Sequence, residues 1–213
     1  MAEKRQCNDA MSGRQTEQRA EDEFAEDDSE ATIMPAPHAA AERPERSIVL
    51  VGLMGAGKSS VGRRLAKRLD LPFLDADNEI ESAAGCAIPD IFALHGEAAF
   101  REGERKVIRR LLEGPVCVLA TGGGAFMDSE TRACIADNGI SVWLRAPLDI
   151  LVRRVSRRSD RPLLKNGDPT TILSDLMEVR DPVYAEADIM VESGDGPHEV
   201  VIEKIIEALA ARS

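Results

Sequence analysis

Long apolar runs are missing from this chain of 213 residues. A helix needs about 18 to 20 consecutive apolar residues to cross a bilayer, so no segment is expected to span one. The N-terminus lacks the apolar stretch of a secretory leader and holds too many acids for a transit peptide, so a cytoplasmic location is the expectation. Aromatic residues are scarce at 3% of the chain, and the core is therefore expected to be built from Val, Ile, Leu and Ala. Cysteine is sparse as well. Cys7, Cys86, Cys117 and Cys134 lie far apart without a CxxC pair, which favours reduced thiols over a disulfide or zinc site. His38, His95 and His198 share no metal-binding spacing and read as structural or surface residues. Positive charge is in deficit, with 27 Lys and Arg against 38 Asp and Glu and a net charge of −11. Such a chain repels nucleic acid and anionic membranes at long range, and neither is an expected partner.

The acidity is uneven. Residues 1–46 hold 12 Asp or Glu and 6 Lys or Arg, few apolar residues, and the ending PAPHAAAERPE. A segment of this kind buries too little surface to offset its ordering entropy, so an acidic, disordered tail is expected. From residue 47 onward the pattern is that of one folded domain. SIVLVG is a short β-branched run suited to a strand buried on both faces. KSSVGRRLAKRLD follows with Val61, Leu65 and Leu69 on one helical face. Strand-like LPFLDAD, PVCVLATGGG, ISVWLRAP and DIMVES then alternate with helical stretches. The last helical stretch but one, TTILSDLMEVRDPVYAEA, is expected to break at Pro182. Strand and helix alternate five times, which predicts an α/β fold, a parallel sheet with helices on both faces.

What is present in strength is glycine at chosen places. GLMGAGKSS, residues 52–60, places Gly52, Gly57, Lys58 and Ser59 in the order G-x-x-x-x-G-K-S between a buried strand and a helix. Glycines let the backbone curl so that N–H groups of Gly55, Ala56, Gly57, Lys58, Ser59 and Ser60 point at phosphate oxygens. The helix that follows adds the positive end of its dipole. Lys58 suits the β- and γ-phosphates and the Ser59 hydroxyl suits Mg²⁺. The loop therefore predicts a bound nucleoside triphosphate, and says nothing of what receives the phosphate.

The acceptor side rests on weaker features, each with a plain alternative. Asp75 ends a strand beside the loop and suits a magnesium site. Asp77 starts a helix, where it is either an N-cap or an acceptor-orienting acid. Arg101 stands one turn before Glu104, as a surface ion pair or as an anion clamp that Glu104 orients. Gly122, Gly123 and Gly124 follow a buried strand, marking a loop or a close approach of backbone to ligand. Arg153, Arg154, Arg157, Arg158 and Arg161 crowd nine residues, as a solvated basic face or as a flap over the phosphates. Arg180 lies at a helix end before a proline.

Taken in order, the glycine loop, DAD, FREGE, TGGG, RPLL and VRDPVY resemble the shikimate kinase family over about residues 47–206. That resemblance implies a five-stranded parallel sheet of the nucleoside-monophosphate-kinase kind, with a substrate-binding helical region at about 77–105 and a lid at about 155–168. It implies transfer of the ATP γ-phosphate to the 3-hydroxyl of shikimate. Lys58, Ser59 and Asp75 then match the phosphate and magnesium residues, and Asp77 the residue bonding shikimate hydroxyls. Arg101 and Arg180 match the carboxylate-gripping arginines, and Gly123 a backbone contact. Arg161 matches the lid arginine and Arg154 an arginine near the adenine. Where several relatives carry an adenine-holding arginine after the last strand, this chain has VESGDGPHEV with Asp195, so backbone and Arg154 are expected to hold the base. A gluconate kinase on the same scaffold and a regulatory sensing domain are the alternatives weighed. The surface leaves no obvious apolar stripe, and a monomer is expected.

Overall fold

The computed structural model describes residues 44–156 and 168–212. Most of the acidic tail, and Arg157, Arg158 and Arg161 with nearly all of the expected lid, lie outside the described residues.

The described chain runs β1 (Ser47–Val51), α1 (Lys58–Leu69), β2 (Phe73–Asp75), α2 (Ala76–Ala84), α3 (Ile88–Leu112), β3 (Val118–Ala120), α4 (Ser129–Asn138), β4 (Gly139–Arg145), α5 (Leu148–Ser156), α6 (Pro169–Tyr184), β5 (Ile189–Glu192) and α7 (His198–Ala210), with a short 3₁₀ turn at Ala125–Met127. The five strands form one sheet in the order β2-β3-β1-β4-β5, and all four pairings are parallel. β1 is central, with Ile48 beside Val118 on one flank and Ile140 on the other. Its every residue is buried, as a continuous apolar run covered by helices on both faces should be. Parallel strands bring all the carboxyl ends to one edge, so the loops after β1, β2 and β3 meet there.

The main core is aliphatic, as the composition predicts: Ile48, Leu50, Leu65, Leu119, Leu144, Leu151 and Ile205 are almost fully buried. Three of the aromatics form one group within it. Trp143, Phe126 and Tyr184 stack beside the glycine triplet, with Tyr184 centred 5.9 Å from Trp143 and 6.3 Å from Phe126. A smaller core of Ile80, Ile91, Phe100 and Val107 holds α2 and α3 together apart from the main one.

Two local expectations change. α6 does not break at Pro182 but runs on to Tyr184. Proline removes one N–H, which orphans the carbonyl of Glu178 four residues back. Glu178 is exposed, so water can satisfy that carbonyl, and the loss falls in a last turn where the helix is about to end. The second change concerns α2, whose N-cap is Asp75 and not Asp77: the Asp75 carboxylate accepts from the Asp77 N–H at 3.2 Å. α3 contains a backbone break at Gly96, where φ is 78° and ψ is 175°.

Candidate active site

Gly52, Gly55 and Gly57 have φ of 132°, 84° and 99°, values that side chains rarely tolerate. They wind the β1–α1 loop into a cup, and α1 begins at Lys58 directly after Gly57. The loop borders a cavity of about 410 Å³ lined by Gly55, Gly57, Lys58, Ser59, Ser60, Asp75, Asp77, Thr121, Gly123, Arg154 and His198, among others. Phosphate-loop residues and acceptor-side residues thus share one space. The Lys58 ammonium donates to the carbonyls of Gly52 at 2.7 Å and Leu53 at 3.0 Å, which aims it across the mouth of the loop. The Ser59 hydroxyl donates to Asp75 at 2.7 Å.

Asp75 therefore joins two structures: one carboxylate oxygen caps α2 and the other meets Ser59. A hydroxyl and a carboxylate side by side at the phosphate loop are hard oxygen donors, which suit Mg²⁺. No cluster of three metal-ligating side chains exists among the described residues. A cation held there would have to take its remaining ligands from outside the protein, as Mg²⁺ commonly does from phosphate and water.

The glycine triplet is explained by neighbouring side chains rather than by φ. A Cβ on Gly122 would stand 2.9 Å from both Asp77 Oδ1 and Glu104 Oε1. One on Gly124 would stand 2.7 Å and 2.8 Å from the terminal nitrogens of Arg101. The triplet is a floor across which an acid pair and a guanidinium lie. Arg101 donates to Glu104 at 2.7 Å and to Glu97 at 3.3 Å. The plain reading of Arg101–Glu104 as a surface pair fails, because Glu104 is only 2% exposed. Burial raises the Glu104 pKa, Arg101 opposes the rise, and the Asp77 charge adds to it. Glu104 Oε1 is buried without a hydrogen-bond partner among the described residues.

Arg180, far along the chain, reaches the same floor: its guanidinium donates to the Gly123 carbonyl at 3.0 Å. The Tyr184 hydroxyl donates to the same oxygen. Tyr184 is 1% exposed, and desolvation pushes its pKa up to about 12 against the opposing effect of Arg180. A raised acid pKa means that the native state holds the proton more tightly. The associated stability is complete below the ordinary value of 10.0 and is lost as pH rises through about 12. The chain has a single tyrosine, so a tyrosinate absorbance titration reads this group alone. No ionisation is expected until about pH 12 or until the fold is lost, and Tyr184→Phe is expected to cost about 1 kcal/mol of stability in a denaturant titration.

Arg154 braces the phosphate loop from below. Its guanidinium donates to the carbonyls of Gly55 at 3.2 Å and Gly194 at 2.5 Å, with longer contacts to Ala56 and Ser193. Ser193, 1% exposed, donates to the Ala56 carbonyl at 2.8 Å. Of the neighbouring basic run, Arg153 is turned to Asp195 as an exposed ion pair. The structure thus gathers Lys58, Ser59, Ser60, Asp75, Asp77 and Arg154 on one cavity and Arg101 with Arg180 on its glycine floor. Sequence reasoning missed Thr121, Tyr184, Ser193 and His198. Only Tyr184 left a signal, four residues after Arg180 on the same helical face.

The family model described as shikimate kinase matches residues 54–210. A shikimate kinase of Caulobacter vibrioides (strain NA1000 / CB15N) is 60% identical over 164 residues, 77% of this chain and 82% of that one. One of Paramagnetospirillum magneticum (strain ATCC 700264 / AMB-1) is 62% identical over 164 residues, 77% of this chain and 84% of that one. The solved shikimate kinase of Acinetobacter baumannii in complex with shikimate superposes with a TM-score of 0.77 at 40% identity, covering 80% of this chain and 96% of that one.

Proposed function

The chain belongs to the shikimate kinase family, and from that premise we propose how its residues carry the reaction. It transfers the γ-phosphate of ATP to the 3-hydroxyl of shikimate, giving shikimate 3-phosphate and ADP. The observation that carries the division of labour is the shared cavity, in which the phosphate loop and Asp77 face one space beside a floor crossed by two arginines.

The amides of Gly55, Ala56, Gly57, Lys58, Ser59 and Ser60 hold the phosphates, and Lys58 neutralises the transferring group. Ser59 and Asp75 would hold Mg²⁺, which would supply further charge neutralisation on the phosphate oxygens. Shikimate is a small anionic polyol, so its carboxylate needs guanidinium forks and its hydroxyls need an acceptor acid. Arg101 and Arg180 grip the carboxylate, while Gly122, Gly123 and Gly124 let it approach. Asp77 orients the acceptor hydroxyl and takes its proton as the phosphoryl group arrives. Arg154 lies at the nucleotide end; the phosphate role that the family resemblance implies for Arg161 falls on a residue outside the described ones. The open-chain sugar-acid alternative has no support in the family that matches. We take the protein to work as a cytoplasmic monomer; no helix among the described residues is long and apolar enough to cross a membrane.

The test is a coupled assay of ADP release from the full chain with ATP and Mg²⁺. Release dependent on shikimate and absent with gluconate is expected. Turnover of gluconate without shikimate would overturn the assignment. Gel filtration with light scattering checks the monomer.

A further inference from the structure

The phosphate loop leaves the central strand, with β3 and β2 on one side and β4 and β5 on the other. Asp77 follows β2 and Gly123 follows β3, so the acceptor end of the cavity lies on the β3 side. A nucleotide whose phosphates sit in the loop sends its base the other way, over the carboxyl ends of β4 and β5. The helices after those two strands, α5 and α7, contribute Arg154 and His198 to the cavity.

A purine is a flat ring system and gains most from a flat partner. The chain has five Phe, one Trp and one Tyr, and none of those among the described residues lines the cavity. His198 is the one aromatic ring that does so among the described residues. It is the first residue of α7, carried there by the turn that also places Ser193 and Gly194 against Arg154. Asp195, in the same turn, is paired with Arg153.

We propose that the His198 imidazole is the ring on which the nucleotide base stacks, so that His198 and Arg154 together form the base-binding end of the cavity. The proposal rests on the kinase reading for the direction in which the nucleotide lies. Against the opposing charge of Glu199, burial acts most strongly on His198, followed by the charges of Arg64 and Arg154. Together they hold the ring below its ordinary pKa. It meets the base as a neutral aromatic face rather than as another cation next to Arg154.

The test is titration calorimetry on the full chain with two probes, ADP and inorganic tripolyphosphate. His198→Ala is expected to weaken ADP about tenfold, equivalent to 1.4 kcal/mol, and to leave tripolyphosphate unchanged. His198→Phe, which keeps a flat ring, is expected to bind ADP close to wild type. Unchanged ADP affinity in His198→Ala would overturn the proposal. So would an equal loss for tripolyphosphate, or an equal loss of ADP affinity in His198→Phe. Wild-type turnover with shikimate is measured alongside. Its absence would sink the acceptor assignment while leaving the ADP comparison to decide His198.

Discussion

Asp77→Asn is expected to lower turnover about a thousandfold while keeping the melting temperature near that of wild type. A positioned general base contributes about 10²- to 10⁴-fold, and asparagine keeps the shape of aspartate while removing its charge and its capacity to take a proton. The separation of activity from stability follows from the capping geometry. Asp75 caps α2, and Asp77 contributes its backbone N–H to that cap, which the substitution retains. Glu104 feels the Asp77 charge as one of the influences raising its pKa, so removing it relieves a like-charge contact. Steady-state kinetics with thermal melts checks both halves. Turnover within about tenfold of wild type would take Asp77 out of the chemistry.

Arg101→Ala is expected to raise KM for shikimate about a hundredfold, and to destabilise the fold in a pH-dependent way. Losing a charge-assisted fork at a partly buried site costs about 2–5 kcal/mol, and 1.36 kcal/mol is tenfold. The stability effect comes from Glu104, left buried at 2% exposure without its cation. Breaking a fully buried pair costs about 3–5 kcal/mol. Arg101 has a side chain 29% exposed, so solvent screening brings the expectation to about 2 kcal/mol. The sign with pH is definite. Burial already raises the Glu104 pKa above its ordinary 4.5, and Arg101 holds it down. Without Arg101 it rises further, and a carboxyl with a raised native pKa stabilises the fold when protonated and loses that contribution as pH rises through the native value. The deficit of the variant is therefore greatest at neutral pH and narrows as pH falls toward 4.5. Arg101→Ala combined with Glu104→Gln should recover stability without recovering shikimate affinity. A deficit that grows toward acid pH would show that Glu104 is not the cause.

Both predictions start from short runs of sequence, DAD and FREGE, and the sequence carried each to a different depth. The cup of the glycine loop was readable outright because its geometry is local. Glycines that permit a cup, a lysine and a serine at a helix start act within nine consecutive residues, and chain order alone brings them together. The alternation of strand and helix was readable for the same reason, since burial period is a property of neighbours along the chain. α6 ran through Pro182 because a proline in a final exposed turn costs little, a fact about solvent around Glu178 that local pattern does not contain.

The acceptor side was different. Sequence supplied Asp77, Arg101, the glycines and Arg180 as candidates, each with a plain alternative that nothing nearby in the chain excluded. Tertiary structure removed the plain reading of Arg101 by burying Glu104 against Gly122, and moved the cap from Asp77 to Asp75. It also gave Gly123 two donors from α6, separated from it by 57 and 61 residues, and tied Ala56 to Ser193 across 137. Contacts over such separations depend on strand order and on how helices seat on the sheet, which no local period encodes. The chain's own letters thus determined the nucleotide loop and the layered α/β plan, while packing alone decided which charges meet on the glycine floor, because burial sets both their partners and their protonation.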